Sequence, residues 1–209
     1  MSDRLHDEPQ QPDITRSEAA FEGAVWDVRR ETFTLDDHSI TREFVDHTGA
    51  VAVLAMDERD RVLLIQQYRH PVRQRDWELP AGLLDMAGES PLKAAQRELA
   101  EEADLIATEW HLLSEFMTTP GGSNEVIRVY LARNVSEAPE VFQRTEEETG
   151  IVTRWVPLDE VVDGVLERRL QNSILAVAVL SAAAGKGRDW ADLADPDEPW
   201  TRHPRSQAN

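Results

Sequence analysis

The stretch from Gly82 to Leu105, GLLDMAGESPLKAAQRELAEEADL, constrains this chain more than any other. Ser90 is a good N-cap residue, and Pro91 suits the first helical position, where its missing N–H costs nothing. Leu92, Ala95, Leu99 and Ala103 then make an apolar stripe, so the spacing predicts a helix packed against a core. Within it, Arg97-Glu98-Leu99-Ala100-Glu101-Glu102 sets three carboxylates within roughly 100° of one another, since each residue advances about 100°. Carboxylates so crowded raise one another's pKa unless a cation holds them ionised. Hard oxygen ligands suit Mg²⁺ or Mn²⁺. The alternative is a solvated helix face with ordinary Glu/Arg pairs, and the glutamates alone leave both open.

Composition narrows what such a cluster can serve. The chain has 209 residues, 22 basic against 40 acidic, for a net charge of −18. A field of that sign repels polyanions and argues against a nucleic-acid partner. A small phosphate ester would need local arginines or a bridging cation. With no cysteine, disulfides, thiolate zinc sites and cysteine nucleophiles are excluded. No run approaches the roughly 20 apolar residues of a membrane span. The opening MSDRLHDEPQQPD lacks the apolar core of a signal peptide, so the expected location is cytoplasmic.

Along the chain, residues 1–18 read as a flexible polar tail. Ala24 to Leu35 and Ile40 to Val45, joined by Asp36-Asp37-His38-Ser39, read as a β-hairpin, with residues 19–48 as a small sheet. Ala50 to Met56 and Arg61 to Ile65 are apolar runs joined by Asp57-Glu58-Arg59-Asp60, expected to be a hairpin of central strands. Trp110 to Phe116, Val126 to Ala132 and Ile151 to Val156 are further strands. Helices follow from Pro157 to about Arg169 and from Ile174 to Ala184. Residues 49–185 form the main domain, and 186–209 a polar tail in which Trp190 and Trp200 hint at docking. The order implies an α/β fold with a mixed sheet rather than a doubly wound parallel one. No glycine fingerprint of the dinucleotide or P-loop type precedes a helix.

The spacing around the glutamates decides between the two readings. Gly82 opens the stretch, Glu89 stands alone, and seven residues separate it from Arg97-Glu98. Leu99, Glu101-Glu102 and Leu105 complete a pattern that closely resembles the box of the Nudix hydrolases, metal-dependent enzymes acting on nucleoside-diphosphate derivatives. It departs twice: six residues rather than five lie between Gly82 and Glu89, and Asp104 stands where the pattern has glycine. Neither change touches the carboxylates. Pro120 lies fifteen residues after Leu105, as in the ADP-ribose pyrophosphatase type. Trp77-Glu78-Leu79-Pro80-Ala81-Gly82, Gln66-Gln67-Tyr68-Arg69-His70 and the N-terminal hairpin also resemble that group.

The resemblance implies an α/β/α sandwich with a mixed sheet, preceded by a small antiparallel sheet that helps build an interlocked homodimer. It implies Mg²⁺, with Mn²⁺ as the alternative, held by the Ala81 carbonyl, Glu98 and Glu102, with Glu101 and Glu148 as further ligands. Glu101 and the run Glu146-Glu147-Glu148 are the candidates for activating water, and the sequence does not choose among the three; alone, the run reads as a solvated loop. Arg69 matches a contact to substrate phosphate or ribose, against a surface arginine. Glu125 matches a group at the terminal ribose. Trp26 matches an aromatic that stacks on an adenine from the hairpin of the partner subunit, or else belongs to the hairpin core. The implied reaction is hydrolysis of ADP-ribose to AMP and ribose 5-phosphate. A nucleotide sugar, a dinucleoside polyphosphate or a nucleoside triphosphate is the rival substrate, and a non-catalytic ADP-ribose sensor is the rival from another class.

Overall fold

The computed structural model describes residues 5–139, 142 and 150–204. The chain divides into two compact units, Met1–His47 with Thr119–Asn124, and Thr48–Thr118 with Glu125–Asn209.

The first unit is a three-stranded antiparallel sheet in the order β1 (Asp13–Phe21), β2 (Asp27–Leu35), β3 (His38–Asp46). Asp36 and Asp37 both take positive φ, 49° and 62°, so Leu35 and His38 pair across a two-residue turn. That handedness matches the twist of the flanking strands. The strand β1 corrects the expectation of a flexible tail through residue 18. Its sequence, DITRSEAAF, is too polar to advertise a strand, and most of its side chains are exposed. The backbone ladder to β2 holds it, with the ion pairs of Glu18 to Arg16 and Arg30. The loop Thr119–Asn124 joins this unit through Val45 N to Gly122 O (2.9 Å) and Asn124 Nδ2 to Asp46 Oδ1 (2.8 Å).

The second unit holds two sheets. One runs β10 (Val152–Pro157), β5 (Arg61–Arg69), β6 (Gln74–Glu78), all antiparallel. The other runs β7 (Ala81–Leu83), β4 (Ala50–Ala55), β9 (Val126–Glu137), β8 (Leu105–Met117), with β4 and β9 parallel. Thus β4 and β5 are not the expected hairpin. They meet only at a bridge between Met56 and Val62 and then enter different sheets. The physical reason lies in their composition: both are apolar on both faces, so each takes a central place in its own sheet.

Helix α1 (Pro91–Ala103) covers one side, where Ala94, Ala95 and Leu99 pack with Val51, Val53, Tyr130 and Ala132. Helices α2 (Leu158–Leu166) and α3 (Ser173–Lys186) cover the other, packing Leu158, Val161, Leu175 and Val179 on Ala52, Leu54, Ile127 and Leu131. Each fully buried Leu or Val contributes about 1.5–3 kcal/mol. This α/β/α layering fixes α1 against the β7–β4 edge. Among the described residues no helix is long and apolar enough to cross a membrane.

Candidate active site

Helix α1 begins and ends as its sequence dictates. Ser90 caps it, accepting from Lys93 N at 3.3 Å, and Pro91 follows. Asp104 ends it in the left-handed region (φ 53°, ψ 36°) with its N–H on Ala100 O at 3.0 Å. Asp therefore does what the glycine of the pattern would do, at a modest conformational cost. It also adds an acceptor that glycine lacks: Phe142 N donates to Asp104 Oδ1 at 3.4 Å.

The carboxylates gather where α1 meets β7. Glu102 is buried at 6% exposure and accepts from Ala81 N at 2.9 Å. Glu98 lies against Gly82 so closely that an added Cβ there would sit 1.9 Å from Oε1. Gly82 is thus a cradle that only the smallest residue leaves open. Arg97 spans the cluster. Its Nε and Nη2 both donate to Glu89 at 3.0 Å, and its Nη1 donates to Glu98 at 2.6 Å and Glu101 at 2.9 Å. These bonds hold the guanidinium's pKa above its ordinary value, Glu89 contributing most and burial opposing.

In return, the hydrogen bonds from Arg97 hold the Glu89 carboxyl below the usual range, with burial acting against them and Lys93 adding to them. The sign of the linkage follows. A depressed carboxylate pKa supplies stability that is present above the unfolded value and lost as pH falls through the folded one. Melting temperature should therefore drop as pH goes below about 4.5, the ordinary glutamate value. In Glu89→Gln the acid limb should be shallower, and the gap to the wild type should narrow from pH 6 to pH 3. Parallel curves would remove this role for the pair.

The donor set fits a divalent cation. Glu98 and Glu102 carry hard carboxylate oxygens one helical turn apart, both shielded from solvent and both seated on the backbone of Ala81-Gly82. Among the described residues the carboxylates turn to Arg97 and the Ala81 amide, and no three acids or histidines converge as a closed cage. An open set of this kind suits an ion that keeps waters and shares its sphere with substrate.

The other candidates stand on other elements. Arg69 ends β5 and makes a two-pronged pair with buried Glu78, Nε to Oε1 at 2.8 Å and Nη2 to Oε2 at 2.7 Å, keeping 44% of its side chain exposed. Glu125 accepts from Thr118 Oγ1. In the first unit, Trp26 stacks on His47 with ring centroids 4.2 Å apart and is 37% exposed, so it is not hairpin core. Glu146, Glu147 and Glu148 lie outside the described residues. Sequence reasoning passed over Glu78 as the partner that orients Arg69, although it stands in the same Trp77–Gly82 segment. The seat that Gly82 makes for Glu98 also escaped it, because spacing along the chain carries no signal for a contact between a strand and a helix.

The model of the NUDIX domain matches residues 46–176. An ADP-ribose pyrophosphatase of Mycobacterium tuberculosis is 43% identical over 171 residues, which cover 80% of this chain and 81% of that protein. A methanol dehydrogenase activator of Bacillus methanolicus is 32% identical over 165 residues, 78% of this chain and 88% of its own. A solved structure described as an ADP compounds hydrolase superposes with a TM-score of 0.71 at 20% identity, covering 88% of this chain and 98% of that one, and shares the fold.

Proposed function

The chain belongs to the Nudix family, and on that premise we propose that it hydrolyses ADP-ribose, water and substrate giving AMP and ribose 5-phosphate. Nudix hydrolases generally need a divalent metal, and Mg²⁺ is the ion proposed here. The observation that carries the reading is the seating of Glu98 and Glu102 on Ala81-Gly82, in a chain 43% identical to an ADP-ribose pyrophosphatase.

Glu98, Glu102 and the Ala81 carbonyl would hold the ion, with Glu101 and Glu148 as further ligands. When bound, such an ion supplies Lewis acidity toward a pyrophosphate and acidifies water. The remaining work falls to this chain's side chains. Arg97 donates to Glu98 and Glu101 and fixes their direction. Glu101 and the run Glu146-Glu147-Glu148 are the proposed acceptors of the proton that water gives up on attacking phosphorus. Arg69, oriented by Glu78, offers its exposed edge to phosphate or ribose. Glu125 is proposed at the terminal ribose, and Trp26 of the partner subunit at the adenine, on the ring face not covered by His47.

The test is turnover with Mg²⁺ over ADP-ribose, ADP-glucose, diadenosine tetraphosphate and ATP, products being resolved by ion-exchange chromatography. The kcat/KM for ADP-ribose should exceed the others by at least about tenfold, the scale of discrimination that a few directed contacts supply. ADP-ribose among the poorest substrates would overturn the substrate assignment and leave a hydrolase of another nucleoside-diphosphate derivative. Light scattering in the same buffer should give two chains per particle. Ile14 and Phe21 on the N-terminal sheet, and Val25 in the connection beside it, leave apolar area, 50–68% exposed, that a second copy would cover.

A further inference from the structure

We propose that the carboxyl-terminal segment Trp200–His203 is a positioning element of the active site, setting the β4–β7 pair on which Glu98 and Glu102 seat. The inference rests on the reading of those two glutamates as metal ligands.

After α3 the chain does not trail away. Trp190 lies under Arg133, with the guanidinium 4.2 Å from its ring centroid. Ala194 exchanges two backbone hydrogen bonds with Leu112 of β8, at 3.0 and 3.1 Å. Arg128, 3% exposed, donates Nη1 to Glu198 O at 2.8 Å and stands 4.7 Å over Trp200. Trp200 meets His203 edge to face at 4.9 Å, and His203 donates Nε2–H to Thr48 O at 3.1 Å. These fastenings carry residues 190–204 across β8 and β9 to the start of β4.

From there a short chain of contacts reaches the carboxylates. Gly49 has φ +80°, and a Cβ on it would lie 2.5 Å from His203 Nε2. The glycine therefore serves both the bend and the close approach of the imidazole. Gly49 O accepts from Leu84 N at 3.0 Å, which starts the β4–β7 ladder of Ala50 with Leu83, Val51 with Gly82 and Ala52 with Ala81. Gly82 and Ala81 are the residues against which Glu98 and Glu102 rest. A cavity of about 350 Å³, lined among others by Thr48, Leu84, Glu89, Tyr130 and Trp200, separates the segment from the first turn of α1. On the side of this cavity the His203 contact braces the residues that enter β4, beside the ladders of Ala50 to β7 and β9.

The experiment uses the full-length chain and reads metal binding without substrate. Free Mn²⁺ is titrated by electron paramagnetic resonance against wild type, His203→Ala and His203→Gln, the last keeping a donor near the Nε2 position. His203→Ala should weaken Mn²⁺ binding and lower kcat by about tenfold, as loss of an outer partner of a metal site does. KM for ADP-ribose should stay within about twofold, because the segment touches no proposed substrate contact. His203→Gln should recover most of both losses. Should His203→Ala not fold, Trp200→Leu is read in the same way. A variant that melts earlier while its Mn²⁺ affinity and kcat match wild type overturns the proposal, leaving a purely structural strap. A shift in Mn²⁺ affinity with no ADP-ribose turnover by any form supports the positioning role and defeats the substrate assignment alone.

Discussion

Glu98→Gln should give a folded protein whose kcat for ADP-ribose is lower by at least about a hundredfold, the scale seen when one stabilising hydrogen-bond donor is taken from a transition-state site. The substitution is isosteric. The amide oxygen can still accept from Arg97 Nη1, which Glu98 Oε1 now meets at 2.6 Å. What disappears is the negative charge, and with it most of the affinity for a hard cation. Arg97 keeps Glu89 and Glu101 as partners, so the guanidinium is not stranded and the melting temperature should stay within a few degrees of wild type. Circular dichroism melts and steady-state kinetics with Mg²⁺ check both halves. Near-full activity in this variant would sink the assignment of Glu98 as a ligand.

Gly82→Ala should be almost as damaging to activity, by a different route. The new methyl would lie 1.9 Å from Glu98 Oε1, 2.1 Å from Cδ and 2.6 Å from Cγ, inside any contact distance. Something has to move. The atoms in the way are the far end of a side chain, which can swing aside at little cost to folding, whereas the β4–β7 backbone cannot yield so cheaply. The carboxylate is therefore displaced from the Ala81-Gly82 backbone, and a misplacement of about 1 Å can cost on the order of a hundredfold in rate. We expect kcat down by about that factor, Mn²⁺ binding weakened in parallel, and a melting temperature lowered by only a few degrees. Wild-type kcat in Gly82→Ala would mean that Glu98 has no fixed place in the reaction.

The two variants separate charge from position at the same carboxylate. If both lose activity but only Gly82→Ala regains part of it at high metal concentration, the ligand is intact and merely misdirected.

Much of this could be read from residues 82–105 alone. A helix with Ser90 and Pro91 at its start and an apolar stripe of Leu92, Ala95 and Leu99 is a local matter, settled by hydrogen-bond caps and a 3.6-residue period. Its acidic face, and the pairing of Arg97 with its neighbours, follow from the same geometry. The left-handed Asp104 has a local cause as well, because one conformation ends such a helix and Asp tolerates it. The strand β1 was not legible, since cross-strand ladders and surface ion pairs hold it, and neither leaves an alternating apolar pattern. The separation of β4 from β5 was hidden for a related reason. Two apolar runs joined by a short polar turn look alike whether they pair with each other or with distant strands.

The stretch from Gly82 to Leu105 therefore determined by itself that the chain carries a cluster of carboxylates on one helix face, because side-chain direction on a helix depends only on spacing. What only the tertiary structure decided is where that face is pressed. Gly82 and Ala81 meet Glu98 and Glu102 through the packing of α1 on the β7–β4 edge. The start of β4 is in turn held by His203, 155 residues away from Thr48 in sequence. Contacts between residues so distant cost chain entropy that only the completed core repays, and no local pattern announces them.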